Sequence, residues 1–239
     1  MSPEATWRDA DLAAALVAVD PHGLGGIALR ARHGPVRTAW LDALARLLPE
    51  GMALRRLPAH IGDDRLLGGL DLGATLSAGR AVASKGLLAE SDGGLVVAAM
   101  AERLDPATAG RLAAALDTGL VRIERDGLSR TLPARLGVVA LDERTDDEPA
   151  PPDALGERLA FSLDLDPLPQ ATVTAPAFTK ADITAARRRL PQERLSPETE
   201  ATLVAAAAAC AIASLRAPIL AVRAARALLA LHSGALKEG

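Results

Sequence analysis

Eight consecutive residues of this chain have the placing of a phosphate site: Ala31-Arg32-His33-Gly34-Pro35-Val36-Arg37-Thr38. They follow a short apolar run, Ile27 to Ala31, that reads as a buried strand. They lead into a helical pattern over Thr38 to Leu48 that Pro49 ends. Strand, loop and helix in that order are the setting a phosphate-binding loop requires. A working loop reads G-x-x-x-x-G-K-[ST]; its glycines let backbone N–H groups cradle phosphates and its lysine reaches the terminal ones. In register, Ala31 and Val36 replace both glycines and Arg37 replaces the lysine, while Gly34 and Thr38 remain. Val36 is β-branched and resists the positive φ that glycine allows. Pro35 removes an N–H that could bind phosphate. Arg37 keeps the charge in a bulkier, planar group. Taken alone, the octapeptide is an ordinary strand-to-helix turn.

The surrounding pattern says what positions it. Asp9 to Val19 reads as a helix, and Pro21 to Gly26 as a turn. Leu95 to Ala99 and Leu136 to Leu141 are two more buried strands. Pro106 to Leu116 is a helix with Asp105 as N-cap. Alternating residues at 121–125 and 128–132 flank Asp126-Gly127, a strong hairpin signal. The order argues for an α/β domain with a mostly parallel sheet. An acidic, proline-containing loop follows over Asp142 to Pro152, and Leu163 to Thr179 reads as a connector. Helical patterns at Lys180 to Leu190, Ser196 to Leu215 and Pro218 to Leu231 then make a small all-α domain. Ser196 is its clearest N-cap, with Pro197 at the first helical position. The expected division is an α/β domain with hairpin inserts over 1–165 and a connector with a helical lid over 166–239.

Further segments change the reading of the loop. Asp64-Arg65-Leu66-Leu67-Gly68-Gly69-Leu70-Asp71 and Gly86-Leu87-Leu88-Ala89-Glu90-Ser91-Asp92-Gly93-Gly94 resemble the magnesium chelatase group of AAA+ proteins. In that group a D-R-x-x-G-x-x-D segment precedes an insert, and G-L-L-A-x-A-x-x-G leads to the Walker B strand. The resemblance continues through the hairpin to the third strand. It resumes at Leu155-Gly156-Glu157-Arg158-Leu159, against the group's L-x-D-R-F, and ends at Ile219 to Ala227, against its second sensor helix. It therefore covers nearly the whole chain.

This resemblance implies an AAA+ P-loop-type parallel sheet with helices on both faces, followed by a small all-α lid. It implies that Gly34, Arg37 and Thr38 are the remnant of a nucleotide loop. The group's Walker B strand ends in Asp-Glu, one residue supporting Mg²⁺ and the other polarising water; those positions are Ala99 and Met100 here. The first sensor falls near Asp142 and Glu143, where an acid would repel a γ-phosphate. Arg158 matches the arginine finger that reaches a neighbouring subunit's nucleotide, and Arg223 matches the second sensor, with Arg226 one turn later as a rival. Damage to so many elements at once separates the D subunit of the group from its active paralogue, the I subunit.

The implied role is a non-catalytic subunit that assembles with the ATPase I subunit and a porphyrin-binding H subunit. The complex would use ATP and Mg²⁺ to insert Mg²⁺ into protoporphyrin IX for chlorophyll and bacteriochlorophyll synthesis, this chain's own nucleotide site being weak or empty. The group's D subunits continue into an acidic linker and an integrin-like domain, so the chain reads as part of a longer protein. The rival is a self-sufficient ATPase of the MoxR or I-subunit type; a third reading is a binding module unconnected with ATP.

Composition bounds the rest. Aromatic residues are 2% of the chain, too few for base-stacking platforms, and a net charge of -3 gives no general pull on phosphate backbones, so no nucleic-acid partner is expected. Cys210 lies in an alanine-rich apolar run and reads as a core filler. The four histidines have no ligand spacing, so no metal site is expected. Arg187-Arg188-Arg189 reads as a solvated basic run. No signal sequence or membrane span is seen, which makes a cytoplasmic location the expectation.

Overall fold

The computed structural model describes residues 2–125, 128–210, 212 and 214–232. The chain begins α1 (Pro3–Val19), α2 (Pro21–Leu24), β1 (Gly26–Arg30), α3 (Pro35–Leu47), β2 (Leu54–Leu57). An insert follows: α4 (Asp63–Leu66), β3 (Gly68–Leu70), α5 (Leu72–Ala78), β4 (Ala83–Lys85), α6 (Leu87–Glu90). Then come β5 (Leu95–Ala98), a 3-10 turn (Ala101–Arg103), α7 (Pro106–Thr118), and the hairpin β6 (Leu120–Arg125) and β7 (Leu128–Pro133). The expected hairpin tip at 126–127 lies outside the described residues. The chain continues through β8 (Gly137–Asp142), α8 (Asp153–Gly156), β9 (Phe161–Asp164) and a 3-10 turn (Gln170–Thr172). It reaches α9 (Lys180–Arg189), α10 (Pro197–Ala209) and α11 (Arg216–His232).

The three apolar runs read as strands form the middle of a five-stranded parallel sheet, ordered β2-β5-β8-β1-β9. Strands covered on both faces read as unbroken apolar runs, and all six residues of β8 are buried. Along β1, Ile27 and Leu29 enter one core cluster while Ala28 packs against the other, as alternation across a sheet demands. The first cluster holds Trp7 of α1, Trp40 and Leu44 of α3, and Ala227, Ala230 and Leu231 of α11. Trp40 Nε1 donates to the Ala10 carbonyl at 2.9 Å and joins α3 to α1. The second cluster holds Leu66, Leu88, Leu112 and Leu116. The sheet thus carries helices on both faces, the α/β arrangement of the AAA+ type, and a helical region follows it at the C-terminal end of the described chain.

Several expectations need correction. The outer strands β2 and β9 were not evident from the sequence. Each has one bonded neighbour, and β2 carries Arg55 and Arg56 in place of apolar residues. The helix after β1 begins at Pro35, three residues earlier than its apolar period suggests, because proline suits the first helical position. Cys210 is exposed, at the C-cap of α10. No residue of α10 is buried; its alanines make a helix by propensity, without an apolar face turned to the core. Nor is the basic run of α9 simply solvated. Arg187 donates to the carbonyl of Ala18 at the end of α1, and Arg189 to that of Ala230 in α11, while Arg188 is exposed.

Candidate nucleotide loop and arginine pocket

In open parallel sheets, ligands bind beyond the carboxyl ends of the strands. The Ala31–Thr38 loop lies at that end of β1, and several of its polar groups are already engaged. Gly34 caps α3 with an extended backbone, φ 175° and ψ 176°, so no positive φ is demanded here. Val36 sits in the first helical turn and is buried; its β-branch is accommodated. The Ala31 N–H goes to the Asp142 carbonyl, and the Arg32 N–H to Asp166 Oδ1 at 2.8 Å. Pro35 has no N–H to offer. The Thr38 hydroxyl donates to the Gly34 carbonyl at 3.0 Å.

The charge of Arg37 is also engaged. Its guanidinium, 7% exposed, forms an ion pair with Glu143 at 2.7 Å, without hydrogen-bond alignment. The Glu143 N–H in turn donates to Glu102 Oε2 at 3.0 Å. Asp142, at the end of β8, pairs with Arg144 at 3.2 Å. At the end of β5, Ala99 is buried and Met100 has φ 50° and ψ 54°. Met100 is the one non-glycine with positive φ among the described residues. Such backbone costs of order 1–3 kcal/mol and tends to mark functional sites, yet neither side chain can ligate Mg²⁺ or accept a proton from water. These two positions therefore offer Mg²⁺ no carboxylate ligand. Among the described residues no group of three or more His, Cys, Asp or Glu is placed to hold a metal ion.

Arg158 and Arg223 meet at the opposite end of the sheet. Arg158 precedes β9, which runs parallel to β1, so it lies by the amino end of β1. At about 3.3 Å per residue, the four steps of β1 put roughly 13 Å of strand between that end and the loop. Gly25, at φ +68°, lets β1 pass close: a Cβ there would come within 1.9 Å of the Arg158 carbonyl oxygen. Arg158 donates from Nε to Asp117 Oδ1 at 3.0 Å and from Nη2 to Oδ2 at 2.6 Å. Its Nη1 donates to the Ala154 carbonyl. Arg216 Nη1 donates to the same Asp117 Oδ1 at 2.8 Å. Arg223 donates to the Gly23 carbonyl at 2.9 Å and lines the same small cavity as Asp117, Arg158, Arg216 and His22. Its rival Arg226 instead donates to the carbonyls of Glu193 and Leu190, joining α11 to the end of α9.

The electrostatics follow from these contacts. The hydrogen bond from Arg158 is the main reason the Asp117 carboxyl titrates below its usual range. Burial, then the cation Arg135, hold His22 below its ordinary value; Asp20 opposes them and Arg223 adds a little.

Sequence reasoning missed Asp117 and Arg216, though helix polarity carried a signal for both. An acid in the last turn of a helix and a cation in the first turn each oppose the helix dipole. Asp117 sits in the last turn of α7 and Arg216 opens α11, and the two misplaced charges compensate one another.

The five-stranded parallel sheet with helices on both faces and a C-terminal helical region defines an α/β protein of the AAA+ type. The chain is 43% identical over 225 residues to the magnesium-chelatase 60 kDa subunit of Cereibacter sphaeroides, covering 94% of this chain and 37% of that protein. It is 38% identical over 221 residues to the Rhodobacter capsulatus protein of the same name, covering 92% and 36%. The magnesium-chelatase 38 kDa subunit of Rhodobacter capsulatus is 29% identical over 163 residues, 55% of this chain and 46% of that protein. The chain thus spans little more than a third of the length of the 60 kDa relatives it matches. No protein-family model matches it. Among the described residues no helix is long and apolar enough to cross a membrane.

Proposed function

We propose that this chain is the AAA+ part of a magnesium chelatase D-type subunit that does not hydrolyse ATP in its own pocket. It serves a neighbouring I-type ATPase subunit, and the assembly, with a porphyrin-binding H-type subunit, couples ATP hydrolysis to Mg²⁺ insertion into protoporphyrin IX. In this reading residues 166–239 act as the lid, and the complex works in the cytoplasm. Similarity along 94% of the chain to a 60 kDa chelatase subunit supports the assignment. The observation that carries the division of labour is the separation of the two charged sites. Arg37 is neutralised by Glu143 at the loop, whereas Arg158 lies at the other end of β1, away from any nucleotide in its own loop. A finger supplied in trans is worth roughly 10³ to 10⁵ in rate.

The test compares phosphate release by this chain alone, by an active I-type partner alone, and by the mixture. The chain alone is expected to be inactive and to show no micromolar ATP affinity in a titration, while the mixture turns over. Steady turnover by the chain alone would favour the self-sufficient ATPase instead.

A further inference from the structure

We propose that Asp117 is the positioning residue of the finger, fixing Arg158 and Arg216 side by side as a two-arginine clamp for a phosphate offered by the neighbouring subunit. This rests on the trans-finger reading above and names residues that reading does not contain. The geometry starts from donor counting. A guanidinium has five N–H donors. Arg158 uses three, two on Asp117 and one on Ala154, which leaves one on each terminal nitrogen. Arg216 approaches the same carboxylate from α11, through its terminal nitrogens at 2.8 and 3.4 Å. Two cations that would otherwise repel are thus held against one anion, in fixed planes, with donors to spare.

Charge and size then define the ligand. Three arginines and one aspartate line the cavity, an excess of two positive charges, and the depressed titration of His22 keeps it from adding a third. The cavity holds about 150 Å³, whereas sites for whole small ligands run to roughly 300–1,000 Å³. It has room for the tip of an anion, not for a nucleotide. A phosphate entering it must therefore be held elsewhere, on another chain. Arg–phosphate contacts are strongest when the fork is presented in a set plane, and the Asp117 carboxylate supplies that constraint.

The experiment measures ATP turnover of the full chain assembled with its active I-type partner. Displacing a catalytic contact by about 1 Å can cost roughly 100-fold, so Asp117→Asn and Arg216→Ala are each expected to lower kcat by about 10- to 100-fold. KM for ATP and the size of the assembly should stay unchanged. Asp117→Glu, which keeps the carboxylate, should recover part of the rate. In an Arg158→Ala background, Asp117→Asn should lower the rate no further than Arg216→Ala does there, since Asp117 then acts only through Arg216. Arg216→Ala, at a half-exposed side chain, keeps the test open if Asp117→Asn fails to fold. If Arg158→Ala slows the assembly while Asp117→Asn and Arg216→Ala do not, the clamp is wrong and the finger stands. Should Arg158→Ala leave the rate unchanged, the finger reading falls and the clamp with it.

Discussion

Arg37 and Glu143 face each other at 2.7 Å, with the guanidinium almost wholly buried. In the proposed function the pair stands where a phosphate-loop cation would meet a phosphate, and Glu143 supplies the counter-charge from within the chain. Removing one partner of a buried pair leaves the other charge uncompensated, at about 3–5 kcal/mol when burial is complete. Glu143 is 21% exposed, so Glu143→Gln is expected to cost less, about 2 kcal/mol by comparison with that range. Urea denaturation measures it. A change within about 0.5 kcal/mol, as for ordinary surface sites, would mean that the pair does not anchor the loop.

Gly25 and Gly79 share nearly the same φ, +68° and +64°, but differ in ψ, -31° against 16°, and in their surroundings. A Cβ at Gly79 would meet nothing within 4 Å, whereas one at Gly25 would strike the Arg158 carbonyl at 1.9 Å. Gly79→Ala should therefore cost only the left-handed backbone penalty, about 1–2 kcal/mol. Gly25→Ala should cost clearly more and slow the mixed assembly, because the chain at Arg158 must move. Equal melting temperatures for the two variants would contradict the close approach.

Much of the fold was legible because its central strands are buried on both faces. Ile27 to Ala31, Leu95 to Ala99 and Leu136 to Leu141 are continuous apolar runs for that reason. The edges were not legible. Arg55 and Arg56 hide β2, and Phe161-Ser162-Leu163-Asp164 alternates well but is too short to stand apart from the prolines after it. Cys210 misled because an alanine-rich run looks buried whether or not it packs. At the site, the losses at Arg37, Ala99 and Met100 were visible by position, while Asp117 needed tertiary contact. Its misfit with the polarity of α7 was the one local clue.

His22 gives the fold a pH dependence whose direction can be worked out. Burial, then Arg135, lowers its affinity for a proton in the folded chain, with Asp20 opposing. Between the ordinary histidine value of about 6.5 and the lower folded one, the unfolded chain binds more protons. The contribution of neutral His22 is therefore complete above about pH 6.5 and is lost as pH falls through the folded value. Melting temperatures from pH 7.5 down to pH 5 should fall for the parent chain and fall less for His22→Gln. Parallel curves for the two proteins would remove His22 from the explanation.

Arg158→Ala should separate stability from function. The residue is not a free surface charge: its side chain is 17% exposed and both carboxylate oxygens of Asp117 accept from it. Exposed ion pairs are worth roughly 0–1 kcal/mol and hydrogen bonds to charged groups about 1.5–3. A cost near 1–2 kcal/mol follows from those two ranges, too little to unfold a domain of ordinary stability. The loss also frees Asp117 for Arg216 alone, so the cavity keeps Arg216 and Arg223 but not the fork before β9. Arg158→Lys keeps the charge but cannot grip two oxygens in one plane. Both variants should still enter the mixed assembly, by a sizing experiment, and turn over ATP at a small fraction of the parent rate, the lysine form retaining more. If instead both assemble and turn over at the parent rate, Arg158 serves only to hold α7 to the strand edge, and the phosphate of a neighbouring subunit must be met by another group.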